Sequence, residues 1–107
     1  MWLFTRFGFF SIVRKPGDDN LTVRARVAAD LDALREQYLP ELSATTTKGG
    51  TDYPCRATCS HAALAAALGR ITLDIDYANF KNEVAACQGK GRAQRYGRVW
   101  QALYGME

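Results

Sequence analysis

Residues 2–14, Trp-Leu-Phe-Thr-Arg-Phe-Gly-Phe-Phe-Ser-Ile-Val-Arg, constrain the fold more than any other stretch of the chain. Aromatic and β-branched residues dominate, which favours extended backbone, and Lys15-Pro16-Gly17-Asp18-Asp19-Asn20 ends the run in a turn. Read as one strand, it turns Leu3, Phe7, Phe9 and Val13 to the core and places Trp2, Phe4, Arg6, Phe10, Ile12 and Arg14 on the opposite face. A bulge at Gly8 mixes these two lists without clearing aromatics from either face. Neither face is polar. The second face therefore calls for a cover: the C-terminal helices, another protein chain, or a ligand that accepts rings and guanidinium groups together, such as single-stranded nucleic acid. Trp2, Phe4, Arg6 and Phe10 are the expected partner face.

Leu21 to Val27 alternates with period two, setting Leu21, Val23, Ala25 and Val27 against Thr22, Arg24 and Arg26. The period then lengthens. Val27, Leu31, Leu34 and Tyr38 form a helical stripe that Pro40 ends. Leu42 to Lys48 and Thr51 to Cys59 flank Gly49-Gly50, which reads as a hairpin with a two-residue turn, and Pro54 points to an edge or bulge position in the second arm. Ser60 is placed to cap a helix carrying Leu64, Leu68, Ile71 and Ile75, and Asn79 to cap a third that reaches Cys87. Gln88-Gly89-Lys90-Gly91 breaks the chain before a last helix with Ala93, Tyr96, Trp100 and Leu103 on one stripe and Gly105 at its end. Trp100 and Tyr104, four residues apart, are expected in the core.

The expectation is one α+β domain over residues 1–107: two layers, a four-stranded antiparallel or mixed sheet in ββαββ order, and three to four helices. A right-handed crossover applies if the strands flanking the first helix are parallel neighbours. At 107 residues the chain has room for little more than one such unit.

Fourteen Lys and Arg against eleven Asp and Glu leave a net charge of +3, which by itself names no partner. Their distribution says more. Residues 1–27 hold five basic and two acidic side chains, residues 28–80 four and seven, and residues 81–107 five and two, so the ends are basic and the middle acidic. Lys90, Arg92, Arg95 and Arg98 are the densest run of one sign. With Arg24 and Arg26 they are the candidate contacts to nucleic acid or another anion. Three cysteines, an odd number, fit free thiols and a cytoplasmic protein better than a disulfide framework. Residues 1–13 lack the leading cation of a signal peptide, and no run approaches the ~18 apolar residues of a membrane span, so no membrane partner is expected.

The opening Met-Trp-Leu-Phe-Thr-Arg-Phe-Gly-Phe-Phe-Ser, with Thr51-Asp52-Tyr53, Asp76-Tyr77-Ala78-Asn79-Phe80-Lys81 and Val99-Trp100-Gln101-Ala102-Leu103-Tyr104, resembles a group of small bacterial proteins with no assigned activity. That resemblance implies a bacterial, single-domain, cytoplasmic protein and carries over no site residue. Phe7-Gly8-Phe9 also resembles the centre of the RNA-recognition-motif signature, whose aromatics stack on bases. Here Thr5-Arg6 stands where that signature has a basic residue and Gly, Ile12 replaces its closing aromatic, and the run lies on a first rather than a third strand.

Other constellations read as structural. Cys55, Cys59, His61 and Cys87 form a Cys₃His set on paper, but a strand separates Cys55 from Cys59 by ~13 Å, too far to chelate one ion. Cys59 beside His61 lacks a specified oxyanion donor or orienting acid. Asp74 and Asp76 read as helix-end solvation or capping rather than an acid–base pair. Gln88 to Arg92 has glycines and cations ahead of a helix without P-loop spacing. The expected function is a non-enzymatic, cofactor-free binding or regulatory domain for an anionic partner, with a protein-interaction module or homodimer using the exposed side of the first strand as the alternative.

Overall fold

The computed structural model describes residues 1–107 as two units, Met1–Ile75 and Asp76–Glu107. In the first, β1 (Trp2–Thr5), β2 (Gly8–Val13), β3 (Leu21–Ala25), β4 (Thr46–Thr47) and β5 (Cys55–Cys59) form an antiparallel sheet in the order β1-β2-β3-β5-β4. Helix α1 (Ala28–Gln37) lies between β3 and β4, and α2 (His61–Leu73) follows β5. The architecture is α+β, with five strands in place of four and three of them ahead of the first helix. The strands flanking α1, β3 and β4, are both antiparallel to β5, which lies between them, so they run parallel without being neighbours and the condition for the expected crossover is not met.

The fifth strand comes from a fold-back inside residues 2–14. Thr5 and Gly8 are paired, leaving Arg6 and Phe7 as the turn. The Thr5 hydroxyl closes it, donating to the Gly8 carbonyl at 2.8 Å and accepting from the amides of Gly8 at 2.9 Å and Phe7 at 3.3 Å. One side chain thus does what glycine or asparagine does in commoner hairpin turns.

One face of the sheet carries the hydrophobic core, while Ser11 and Thr22 are buried on the other. Leu3, Phe10, Ile12, Val23, Ala25, Cys55, Ala57 and Cys59 pack with Leu31 and Leu34 of α1, and with Leu64 and Ala67 of α2, in one core. The α1 stripe is as read from Leu31 to Tyr38, whereas Val27 at the N-cap is exposed. Ser60 caps α2 by accepting from the Ala63 amide at 3.1 Å. Arg35 pins the segment before β4, donating to the Leu42 and Ser43 carbonyls and to Thr45 Oγ1. That segment leaves only Thr46–Thr47 in the sheet, shorter than the strand expected over 42–48. Gly49-Gly50 does not make a two-residue hairpin: the loop runs from Lys48, whose amide donates to the Pro54 carbonyl at 2.9 Å. Pro54 stands just outside the ladder, and β5 is an interior strand rather than the edge or bulged strand expected.

In the second unit α3 (Phe80–Gln88) and α4 (Lys90–Ala102) form a helical hairpin turned at Gly89, whose φ of 92° suits glycine. Asn79 caps α3 by accepting from the Asn82 amide at 2.9 Å. Val84 and Ala93 are buried, and Phe80 stacks on Tyr96 with ring centroids 6.0 Å apart. Trp100 and Tyr104 are not in the core. They are 61% and 59% exposed and pack edge to face on each other at 4.8 Å. The reason is length: α3 has nine residues against thirteen in α4, and its first residue already lies against Tyr96. No helix is long and apolar enough to cross a membrane.

Candidate functional site

The two-residue turn sets the chemistry of the sheet's second face. With β1 and β2 antiparallel, Phe4 stands opposite Phe9 and Leu3 opposite Phe10. Residues across a ladder share a face, so the fold-back exchanges the parity expected of an unbroken strand. Phe10 is fully buried in the core and Ile12 nearly so, while Phe9 joins Trp2 and Phe4 on the outer face. The expected partner face loses Phe10 by this correction and gains Phe9. Arg6 leaves it too, since it sits in the turn and donates to the Asp74 carbonyl at 3.3 Å.

On the outer face the rings are contiguous. Phe4 and Phe9 stack at 4.5 Å, Trp2 meets Phe9 edge-on at 5.8 Å, and Tyr53 lies 6.3 Å from Phe9. Trp2 is 63% exposed, and Phe4, Phe9 and Tyr53 are half-buried. Beside the rings, one register row crosses all five strands: Trp2, Ser11, Arg24, Arg56 and Thr46. The Arg24 guanidinium lies 4.8 Å over the Tyr53 ring and donates through Nη2 to Ser11 Oγ at 2.7 Å. Arg56 Nε donates to the Tyr53 carbonyl at 3.2 Å. Tyr53 thereby gathers both arginines.

Two features of this pair are costly in the free protein. Like charges directly opposite on neighbouring strands repel, and neither guanidinium has a carboxylate partner. Arg24 Nε is buried with no acceptor, a state that costs on the order of 1–3 kcal/mol. An anion seated between the two arginines relieves the first.

The other basic candidates are placed differently. Arg26 follows the end of β3 in a bend and is exposed. Lys90, Arg92, Arg95 and Arg98 lie along α4 in the second unit. Arg92 sits 5.9 Å over the Tyr96 ring, and Lys90, Arg95 and Arg98 are exposed. Arg92, Arg95 and Arg98 recur every third residue and form a basic band on the helix.

Cys55 and Cys59 face the core from β5, His61 opens α2 at the surface, and Cys87 lies on α3 within 3.4 Å of a Glu83 carboxylate oxygen. No cluster of three or more His, Cys, Asp or Glu side chains with metal-holding geometry is present. Burial, and secondarily the charge of Glu41, pushes the Cys59 thiol above its ordinary range. Asp74 is the C-cap residue of α2 and accepts from the Tyr38 hydroxyl at 2.7 Å, while Arg70 donates to the Tyr38 carbonyl. Burial first and this hydrogen bond second raise the Tyr38 pKa, so the phenol is held as a donor.

Arg56 and Tyr53 are the site residues that sequence reasoning missed. Arg56 was within reach, because Cys55-Arg56-Ala57-Thr58-Cys59 alternates as cleanly as β3 does. Tyr53 comes from a loop and carries no periodic signal. Comparison with known protein families, curated proteins and solved structures finds no match to this chain.

Proposed function

We propose that the outer face of the sheet in the first unit is a non-enzymatic binding surface for single-stranded nucleic acid. One observation carries it: rings of graded exposure and two carboxylate-free guanidinium groups share a face. Trp2, Phe4 and Phe9 offer planes on which bases stack whatever their sequence, and Arg24 and Arg56 offer charge to phosphate. Arg26 and the band of Lys90, Arg92, Arg95 and Arg98 are further cationic surface that a strand passing either unit meets.

Fluorescence anisotropy with a short labelled oligonucleotide, over a salt series, is the test. Affinity should fall as salt rises, and R24A/R56A should reduce the slope of log K against log salt by about 1.4, the amount that neutralising two phosphate charges contributes on a single strand. F9A should weaken binding by roughly 5- to 150-fold at constant salt slope. A charge-reversed R92E/R95E/R98E protein that binds like the parent at low salt removes the α4 band from the site. No binding by the parent at any salt refutes the proposal. The competing reading, a homodimer through β1, draws on the edge position of that strand and the exposure of Trp2. Light scattering that gives a dimer, with no oligonucleotide shift, selects it.

A further inference from the structure

We infer that the Arg24–Arg56 pair is the seat of a terminal phosphate, a phosphomonoester carried by a nucleotide whose base lies on the neighbouring rings, rather than a contact to an internal phosphodiester. The inference rests on the nucleic-acid reading for the base and on the pair itself for the phosphate.

The charge match favours a monoester. The two guanidiniums stand directly opposite each other in the β3–β5 register and carry two positive charges without a carboxylate. An internal diester brings one negative charge, whereas a monoester near neutral pH brings between about 1.5 and 2, on three acceptor oxygens. The donor inventory agrees. Arg24 spends one Nη2 proton on Ser11 Oγ and its Nε is buried, which leaves Nη1 and the second Nη2 proton to donate. Arg56 spends Nε on the Tyr53 carbonyl, so both of its Nη groups remain to be used. Forked donors of this kind suit paired phosphate oxygens.

Position supports it as well. Arg24 is held at the Tyr53 ring and Tyr53 lies beside Phe9, so the charged pair adjoins the aromatic cluster rather than running along it. A backbone threading the face needs cations in series. A nucleotide with its phosphate at one end and its base at the other needs this arrangement of one paired charge and one stacking surface.

The test compares short oligonucleotides of one sequence bearing a 5′-phosphate, a 3′-phosphate or hydroxyls at both ends, together with adenosine monophosphate and adenosine, by calorimetry on the full chain. Tighter binding, by about ten-fold or more, of either phosphorylated end or of the monophosphate over its unphosphorylated counterpart is expected, and the preferred ligand identifies the source. The preference should shrink as pH falls through the phosphate's second ionisation near pH 6. R24K and R56K keep the charge but lose the fork, and each should bring the preference down several-fold. Equal binding of all three oligonucleotides overturns the inference, and leaves the nucleic-acid reading standing if F9A still weakens them. Binding of the monophosphate without any oligonucleotide sustains the phosphate seat and overturns the strand reading. No binding of any probe overturns both.

Discussion

Gly8→Ala tests the physical basis of the outer face, because Gly8 is where the first hairpin meets α1. Its backbone φ is ordinary, so alanine brings no conformational strain, and the whole effect comes from space. A Cβ at this position falls 2.8 Å from Phe10 Cζ and 3.0 Å from both Cβ and Cγ of Asp30. Carbon contacts sit at about 3.5–4.0 Å, so each neighbour must retreat by roughly 0.5–1 Å. Neither can move cheaply. Phe10 is fully buried against Phe7, and the buried Asp30 carboxylate accepts from the Phe9 amide at 3.0 Å. Overpacking of this kind costs about 1–3 kcal/mol, and weakening a charge-assisted bond to a buried amide adds to it, giving about 2–4 kcal/mol in all. For a unit of this size that is a fall in Tm of roughly 10–25 °C. Gly69→Ala is the control: nothing lies within 4 Å of its Cβ in α2, and alanine there should stabilise by about 0.5–1 kcal/mol. Calorimetric or circular-dichroism melting of the two variants decides the matter. If G8A melts within about 2 °C of the parent, the close approach of hairpin and helix does not exist and the register of the outer face loses its support.

Tyr38→Phe should change the alkaline limb of stability. The folded-state pKa is raised above 10.0, so below about pH 10 both states keep the proton, and above it the unfolded chain releases its proton first. Stability therefore falls as pH rises through the folded value, and urea unfolding of Y38F should show a shallower fall than the parent; equal slopes would contradict the burial of the Tyr38 phenol and its bond to Asp74. Ser60→Ala and Asn79→Ala remove the caps of α2 and α3, each at a cost of about 0.5–2 kcal/mol. Amide exchange should quicken in the first turn of the helix concerned and not in its counterpart, and uniform protection in either variant speaks against the cap.

Helices were the most legible part of the chain. Ser60 and Asn79 announce their starts through side chains that satisfy a free amide one turn on, and the Leu31 and Leu34 spacing fixes which side of α1 is buried. These are local properties. The hairpin inside residues 2–14 was not legible because its turn, Arg6-Phe7, contains no glycine, proline or asparagine, and the closing group is the hydroxyl of Thr5. Missing that turn inverts the faces of β2, which is why Phe10 was expected outside and Phe9 inside.

Composition and alternation alone determined that the early aromatic residues outnumber the places one buried face provides, and that arginine shares the surplus with them. Tertiary structure decided which rings these are, brought Arg56 opposite Arg24, and recruited Tyr53 from a loop to hold both. Sequence patterns report the period of an element, whereas pairing across strands depends on where the chain reverses, and a reversal by two residues is enough to turn one side of a strand into the other.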